Sequence, residues 1–170
     1  MKNIKLIALD VDGTLTDGKI YYDNVGNEIK AFNAKDGMAI AQAGKNGIEI
    51  AVITGRKSTI VERRSKELGI KHIYQGIHSK VDALNMILDR TNIRYDQVMY
   101  IGDDINDIKI MSKVKYAACP NDAVQEVKAI CNIISNKTGG NGAVREIIES
   151  VLKEQGKWDE IISQYSGGAQ

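Results

Sequence analysis

Short apolar runs alternate with helix-period patterns along most of the 170-residue chain. The runs predict six strands, at residues 5–9, 49–53, 72–74, 98–101, 116–119 and 132–134. Amphipathic helical patterns fill several of the intervals between them. Because strands that alternate with helices usually pair in parallel, the pattern predicts an α/β fold: a Rossmann-like, doubly wound, mostly parallel sheet with helices on both faces.

Three of the helical patterns have recognisable ends. They span residues 36–47, 58–69 and 79–90. The second pattern contains Thr59 and Glu62 at the spacing of a capping box. The third begins with Ser79 as an N-cap and places its apolar residues on one stripe. These ends support separate helices connected by short loops.

One segment departs from the alternation of strands and helices. Residues 19–32 place β-branched and aromatic residues on both sides of the turn sequence DNVGN, which predicts a β-hairpin inserted after the first strand. Its exposed side would carry Tyr21 or Tyr22, and an isolated two-stranded ribbon is marginally stable in water. We therefore expect the hairpin to pack on another surface, and a neighbouring subunit is a candidate.

Polar side chains follow the predicted strands at the points where those strands end. Asp10 and Asp12 follow the first strand, and side chains two residues apart in an extended segment point to the same face. Two such carboxylates repel each other unless a cation is present, which favours a site for a metal and a phosphate. Further polar groups follow other strands: Thr54, Arg56, Lys80, Asp103, Asp104 and Asp107. In open parallel sheets the ligand crevice lies beyond the carboxyl ends of the strands, so these groups should converge there.

Composition and charge restrict the class of protein. The hydrophobic content of 43% and the charged content of 26% are ordinary for a globular protein. The net charge of +1 argues against a general nucleic-acid binder. Cys119 and Cys131 lack CxxC spacing and are interpreted as small buried hydrophobes. Neither a signal peptide nor a membrane span is predicted. We expect one cytoplasmic domain over residues 1–170, with a C-terminal helix and tail from about residue 141.

The polar motifs carry a family resemblance. DVDGT at 10–14, TGR at 54–56, the single Lys80 and GDDIND at 102–107 occur in the order of the four motifs of the haloacid dehalogenase superfamily of phosphohydrolases. The short chain, the hairpin in place of a cap domain, FNAKDG at 32–37 and GGNGAVRE at 139–146 resemble the capless branch of that superfamily. The resemblance covers about residues 4–152 and implies a Mg²⁺-dependent phosphatase.

The resemblance also implies a role for each motif residue. Asp10 would be the nucleophile that forms an aspartyl-phosphate, and Asp12 would be the general acid and base. Thr54 and the backbone near Gly13 would bind phosphoryl oxygens, while Lys80 would neutralise their charge. Mg²⁺ would be bound by three aspartates: Asp10, Asp103 and the backbone carbonyl of Asp12. Asp107 would orient Lys80 or a metal-bound water, and the role of Asp104 stays open.

The substrate implied by the resemblance is an acidic sugar phosphate. The pocket floor would consist of residues 33–37, that is Asn33, Ala34, Lys35, Asp36 and Gly37. Arg56 and Arg64 would reach the substrate, and guanidinium groups suit a carboxylate. The favoured substrate is 3-deoxy-D-manno-octulosonate 8-phosphate, because the branch that acts on nine-carbon sugar-acid 9-phosphates tends to carry Glu in place of Arg56. Lys35, where arginine is common, and Ala39, where glycine is frequent, depart from the family pattern.

Two other classes of protein share parts of this pattern. Receiver domains of two-component signalling also combine a parallel sheet, a phospho-accepting aspartate, Mg²⁺, a threonine and a lysine. They accept phosphate on a mid-chain aspartate, however, whereas the DxD pair here follows the first strand. A catalytically silent scaffold is a second alternative, although all four motifs are complete. The absence of a cap also leads us to expect a homotetramer in which an adjacent chain completes each site.

Overall fold

Eight strands occur in residues 1–167, the part of the chain that the computed structural model describes. They are β1 (Leu6–Leu9), β2 (Tyr21–Tyr22), β3 (Glu28–Ile29), β4 (Glu49–Thr54), β5 (His72–Gln75), β6 (Val98–Ile101), β7 (Tyr116–Cys119) and β8 (Ile133–Ile134). Six of them form one sheet in the order β5-β4-β1-β6-β7-β8, and every pair in it is parallel. The predicted fold class is confirmed, and each predicted strand lies within one residue of its observed position.

The other two strands form the predicted hairpin. β2 and β3 pair antiparallel as a separate two-stranded ribbon, with Tyr21 opposite Ile29 and Tyr22 opposite Glu28. The turn is stabilised by Asp23, whose carboxylate accepts hydrogen bonds from the backbone amides of residues 25 and 27. Each strand has only two residues, so the ribbon is shorter than the apolar pattern of residues 19–32 suggested.

Seven α-helices connect and cover the sheet within the same residues. They are α1 (Ala34–Lys45), α2 (Thr59–Glu67), α3 (Lys80–Thr91), α4 (Ile108–Met111), α5 (Gln125–Lys128), α6 (Ala143–Glu154) and α7 (Trp158–Tyr165). No helix in residues 1–167 is long and apolar enough to cross a membrane. The helices divide between the two faces of the sheet, as the buried residues show.

Two separate clusters of buried side chains lie on the two faces. Alternate residues of a strand point to opposite faces, so Ile7 and Leu9 belong to one cluster, while Leu6 and Ala8 belong to the other. The first cluster contains residues of α1, α2, α6 and α7, and the second contains residues of α3, α4 and α5. β1 is buried along its whole length, which explains its continuous apolar sequence.

The helix ends agree only partly with the sequence. Ser79 is the N-cap of α3, and its side chain accepts a hydrogen bond from the amide of Asp82 at 3.3 Å. The predicted capping box at Thr59 is wrong, because Thr59 is already the first helical residue and Ser58 occupies the N-cap. α1 begins two residues before the predicted start, since Asn33 caps it by accepting from the amide of Lys35.

α7 lies within the predicted C-terminal helix and tail, but it was not predicted as a separate helix. Trp158 and Ile161 are buried in the first core cluster. The guanidinium of Arg145 in α6 lies over the indole ring of Trp158, 4.8 Å from its centroid, a cation–π geometry. Trp158 and Ile161 therefore pack α7 against the core. The last three residues of the chain lie outside the part that the structure describes.

Candidate active site

The predicted polar residues gather at the carboxyl ends of the three central strands. β1 lies between β4 and β6 in the sheet, so the residues that follow these strands meet at one edge. Asp10 follows β1 directly, and its amide donates to the carbonyl of Ile101 in β6 at 2.9 Å. Thr54 is the buried last residue of β4. Because β4 and β1 are neighbours, Thr54 and the Asp10 carboxylate lie at the same edge of the sheet.

Lys80 connects two of the aspartates at this edge. Its Nζ lies 2.9 Å from Oδ2 of Asp10 and 2.6 Å from Oδ1 of Asp107. All three side chains are buried. Burial lowers the pKa of Lys80, but the two carboxylates raise it by more, so its pKa lies above the ordinary value and the ammonium stays charged. A permanently charged ammonium group therefore lies next to the Asp10 carboxylate.

Both carboxylate oxygens of Asp107 accept hydrogen bonds, and these bonds hold the loop after β6 in shape. Its Oδ1 accepts from Lys80 and from the buried hydroxyl of Tyr100, each at 2.6 Å. Its Oδ2 accepts from the amide of Asp103 at 3.1 Å. The exposed Asp104 accepts from the amide of Ile105 at 2.7 Å, so its carboxylate caps the following turn. These contacts favour orientation of Lys80 as the role of Asp107.

Asp103 projects toward the loop that follows β1. Its Oδ1 accepts from the hydroxyl of Thr14 at 2.8 Å. Gly13 has a positive φ of +93°, and an added Cβ there would overlap the Asp103 carboxylate. Glycine is therefore required at this position both by backbone conformation and by the close approach of a charged group.

The carboxylates of this edge form an incompletely neutralised cluster. Oxygens of Asp10, Asp103 and Asp107 lie within 4.8 Å of one another. Burial, followed by repulsion from Asp107, raises the pKa of Asp10 to about 6 even though Lys80 opposes the shift. Burial and the neighbouring aspartates raise the pKa of Asp103 to about 7, although the Thr14 hydrogen bond opposes it. One Lys80 ammonium therefore does not balance the negative charge.

An unpaired oxygen indicates where a cation would fit. Oδ1 of Asp10 is buried and has no hydrogen-bond partner among residues 1–167. A buried carboxylate oxygen without a partner is costly, and carboxylate and carbonyl oxygens are the ligands that Mg²⁺ prefers. The donor set of Asp10 and Asp103 therefore fits a hard divalent cation.

Asp12 lies in a second charged group, formed with the hairpin. The ammonium of Lys30 contacts Oδ1 of Asp12 and lies 3.5 Å from Glu28. Arg56, from the loop after β4, donates to Glu28 at 2.9 Å, and its Nε lies 3.8 Å from Oδ2 of Asp12. The hydroxyl of Tyr22 is also within 3.4 Å of Arg56. Two cations and two anions thus alternate between the loop after β1 and the base of the hairpin.

The predicted pocket-floor residues lie beside a different feature, a cavity between α1 and α2. Its lining includes Asn33, Asp36, Gly37 and Arg64. The Arg64 guanidinium lies so close to Gly37 that an added Cβ would overlap it. Nε of Arg64 is buried without a hydrogen-bond partner in residues 1–167. Arg64 is thus brought to Asn33 and Gly37, whereas Ala34 and Lys35 are exposed in the first turn of α1.

Asp36 is turned away from the acidic edge. Its carboxylate accepts from the amide of Arg145 at 2.7 Å and from the amide of Gly142 at 3.3 Å. These amides belong to the start of α6, where the positive end of the helix dipole stabilises an anion. Asp36 therefore joins α1 to α6, and the structure does not bring its carboxylate to the Asp10 cluster.

A glycine pair from the GGNG segment supports the loop after β1. The amide of Gly140 donates to the carbonyl of Thr14 at 3.1 Å. An added Cβ on Gly139 would overlap the carbonyl oxygen of Gly13. The amide of Gly139 donates to Asp122 at 2.9 Å. The shape of the loop that carries Asp12 thus depends on a segment more than 120 residues further along the chain.

Lys30 and Tyr100 belong to the site but were not singled out in the sequence. Lys30 was not, although Glu28 and Lys30 alternate in the predicted hairpin and so project to one side. Tyr100 lies within an apolar run, so its hydroxyl gave no separate signal. The acidic, lysine and threonine positions, in contrast, were located by their places at the strand ends.

Comparison with known proteins agrees with this geometry. A family profile described as haloacid dehalogenase-like hydrolase matches residues 7–77 and 72–147. The chain belongs to this family of hydrolases, as its motifs indicated.

More specific relatives are phosphatases of one kind. A 3-deoxy-D-manno-octulosonate 8-phosphate phosphatase from Escherichia coli K12 is 44% identical over 163 residues, covering 96% of this chain and 87% of the relative. The crystal structure of the Moraxella catarrhalis phosphatase with magnesium, phosphate and the sugar acid KDO has a TM-score of 0.94 and 43% identity, covering 96% of this chain and 94% of that one. The cobalt-bound form of a deoxy-D-mannose-octulosonate 8-phosphate phosphatase from Haemophilus influenzae has a TM-score of 0.89 and 36% identity, covering 92% of each chain.

Proposed function

We propose that this protein is a Mg²⁺-dependent phosphatase that hydrolyses 3-deoxy-D-manno-octulosonate 8-phosphate through an aspartyl-phosphate intermediate. The observation that carries the proposal is the arrangement of Asp10, Lys80 and Asp103 at one sheet edge, where one Asp10 oxygen has no hydrogen-bond partner among residues 1–167. The relatives with 44% identity bear the name of this activity. One catalytic domain over residues 1–170 remains part of the proposal.

The proposed reaction has two displacements at phosphorus. In the first, a carboxylate oxygen of Asp10 forms a bond to phosphorus as the bond to the sugar oxygen breaks, and Asp12 gives its proton to that oxygen. In the second, Asp12 takes a proton from water, the water oxygen bonds to phosphorus, and the bond to Asp10 breaks. The products are the sugar acid and inorganic phosphate, and both aspartates return to their starting state.

The remaining residues of the edge stabilise charge. Lys80 would interact with the phosphoryl oxygens from its position 2.9 Å from Asp10, and Thr54 with the backbone near Gly13 would donate hydrogen bonds to them. Asp107 keeps Lys80 in place through its 2.6 Å contact. Asp10, Asp103 and the backbone carbonyl of Asp12 would hold Mg²⁺, which supplies positive charge to a dianionic phosphate when bound.

Recognition of the sugar acid is assigned to two arginines. Arg56 is beside Asp12, with its side chain 42% exposed, so its guanidinium is accessible from the edge where phosphate would bind. Arg64, with a buried Nε that has no partner within residues 1–167, lies beside Asn33 and Gly37. Guanidinium groups bind carboxylates in paired hydrogen bonds, which supports a substrate with a carboxylate. Asn33, Ala34, Lys35, Asp36 and Gly37 remain the proposed floor of the pocket.

The proposed activity is tested with a panel of phosphate esters. We expect the highest kcat/KM with the eight-carbon 8-phosphate, full dependence on Mg²⁺, and a lower kcat/KM with the nine-carbon 9-phosphate. A preference for the nine-carbon ester would reassign the substrate but keep the mechanism. Failure to release phosphate from any ester, including p-nitrophenyl phosphate, would contradict the enzymatic assignment. It would favour the alternative that the protein is a catalytically silent scaffold.

We also propose that the protein is a homotetramer in which hairpins pack together and adjacent chains complete each site. The hairpin exposes an apolar surface formed by Ile20, Tyr21, Tyr22, Val25 and Ile29, and a surface of this kind favours a protein partner. Light scattering should give about four times the chain mass of 18.7 kDa. Val25→Glu should reduce that mass. The matched control Met86→Glu, at an exposed position of α3, should not. A fully active monomer would contradict the proposal.

A further inference from the structure

The base of the hairpin contains a buried lysine beside the acid–base position. The side chain of Lys30 is 2% exposed, in contrast to the 70% exposure of Lys19 at the other end of the same segment. A buried ammonium is costly unless it is paired. Lys30 is paired with Asp12, whose Oδ1 it contacts, and with Glu28 at 3.5 Å. Its charge is therefore directed at one carboxylate of the site and one of the hairpin.

The hairpin determines where this ammonium lies. Glu28 and Lys30 are two residues apart at the end of β3, so they project to the same side. Arg56 donates to Oε1 of Glu28 at 2.9 Å, the same oxygen that lies 3.5 Å from the Lys30 ammonium. Lys30 is thus held by a hairpin residue that is itself bound to the body of the protein.

Asp12 has few other restraints on its side chain. It lies in a loop, and its Oδ2 has only the 3.8 Å approach of Arg56 Nε among the ion pairs of residues 1–167. Proton transfer requires the donor oxygen to be within hydrogen-bond reach of the leaving oxygen. A carboxyl group that is free to rotate would occupy that geometry for only part of the time.

We propose that Lys30 is a positioning residue, which holds Oδ1 of Asp12 so that Oδ2 is the oxygen that transfers the proton. The inference rests on the proposed acid–base role of Asp12. In the first displacement the proton leaves Oδ2 for the sugar oxygen as its bond to phosphorus breaks, and in the second Oδ2 accepts a proton from water. Lys30 neither gains nor loses a proton in these steps. The hairpin therefore contributes to turnover through Lys30.

The first test compares Lys30→Met with Lys30→Arg and with the control Lys19→Met. For an alkyl phosphate or the sugar-acid phosphate, Lys30→Met should reduce kcat about ten- to hundred-fold, a part of what general acid–base catalysis supplies, with KM changed less than about three-fold. Lys30→Arg should restore much of the loss because it keeps the charge, and Lys19→Met should behave like the wild type. A kcat within about three-fold of wild type for Lys30→Met would refute the proposal, as would a loss confined to KM.

The second test is a double-mutant cycle with Asp12→Asn. If Lys30 acts through Asp12, Lys30→Met should cost little further kcat once Asp12 has been replaced. An equal loss in both backgrounds would show that Lys30 acts elsewhere. If the circular dichroism melting curve shows that Lys30→Met does not fold, Lys30→Gln replaces it in the same cycle.

Two controls separate this inference from the proposed function. The increase in melting temperature caused by Mg²⁺ should be the same in Lys30→Met and wild type, because Lys30 contacts Asp12 and not Asp10 or Asp103. A wild type that is inactive on sugar-acid phosphates but active on other alkyl phosphates would refute the proposed substrate. The Lys30 variants would then be compared with the active ester. Full activity of Asp12→Asn itself would refute the acid–base role of Asp12 and the positioning role of Lys30, while the proposed phosphatase activity would stand.

Discussion

Nζ of Lys80 lies 2.9 Å from Oδ2 of Asp10, so one oxygen of the proposed nucleophile is already bound to a buried cation. The other oxygen, Oδ1, is buried and has no hydrogen-bond partner among residues 1–167. The two oxygens of one carboxylate thus have different environments. This difference leaves a single oxygen for a further positive charge, and it makes Asp10 the first residue to test.

Asp10→Asn should abolish turnover while the fold is retained. The amide has nearly the same shape as the carboxylate but lacks the negative charge that attacks phosphorus, so kcat should fall by at least about a thousand-fold. Phosphate release and a circular dichroism melting curve measure the two quantities. The control is Asp89→Asn, an exposed aspartate of α3, which should keep full activity. Substantial Mg²⁺-dependent turnover of Asp10→Asn would exclude Asp10 as nucleophile.

Asp12→Asn should discriminate between leaving groups. A sugar hydroxylate needs a proton as it departs, and loss of the acid should reduce the rate of phosphoenzyme formation about 10²- to 10⁴-fold. p-Nitrophenolate needs no proton, so the same variant should form the phosphoenzyme from p-nitrophenyl phosphate at nearly the normal rate. Rapid-quench measurement of that first step gives the comparison. Equal losses with both esters would argue against the acid role.

Arg56→Ala should affect substrates according to whether they carry a carboxylate. Hydrogen bonds to charged groups contribute about 1.5–3 kcal/mol, so kcat/KM for the sugar-acid phosphate should fall about ten-fold or more. p-Nitrophenyl phosphate should be hardly affected. Arg64→Ala should behave similarly, and its neighbour Arg63, with a side chain 84% exposed, provides the matched control Arg63→Ala. If Arg56→Ala lowers kcat/KM equally for both esters, Arg56 interacts with phosphate or stabilises the fold.

Stabilisation by Mg²⁺ should increase with pH. Burial raises the pKa of Asp10 to about 6 and that of Asp103 to about 7, so without metal the folded protein binds protons more tightly than the unfolded chain. These two groups therefore contribute less stability as the pH rises from about 4 to about 7. Mg²⁺ needs the deprotonated carboxylates and competes with the protons.

The measurement is the increase in melting temperature on addition of Mg²⁺. It should be small near about pH 5 and large near about pH 8, because the competing protons are then absent. Asp103→Asn should reduce the increase at the higher pH, and NaCl of equal ionic strength provides the control. An increase that does not depend on pH would mean that Mg²⁺ binds away from Asp10 and Asp103.

Gly139→Ala should reduce both stability and activity. Its Cβ would overlap the Gly13 carbonyl oxygen, and backbone cannot move aside as a flexible side chain can, so we expect a loss of about 1–3 kcal/mol. Gly44→Ala is the matched control, because, apart from its chain neighbours and the backbone of α1, no atom of residues 1–167 lies within 4 Å of its added Cβ, and it should stabilise by about 0.5–1 kcal/mol. Urea denaturation and phosphate release measure the two effects. Unchanged stability of Gly139→Ala would refute the close packing.

The sequence predicted those features that depend on local pattern. A buried parallel strand is apolar along its length, so the ends of β1, β4 and β6 and the polar residues at or after those ends were accessible to prediction. The position of Asp36 was not, because its partners, the amides of Gly142 and Arg145, are more than 100 residues away. Lys30 was missed although Asp12 is only 18 residues away, because only the folded hairpin brings its ammonium to that carboxylate.

The dependence of the loop after β1 on Gly139 and Gly140 has a consequence for the order in which the protein is made. A ribosome releases Asp10 and Asp12 first, yet Lys80, Asp103 and the two glycines that support the loop emerge much later. A nascent chain shorter than about 140 residues therefore has the nucleophile without the surroundings that shape it. The loop that carries Asp12 can therefore take its final shape only after residues 139 and 140 have been synthesised.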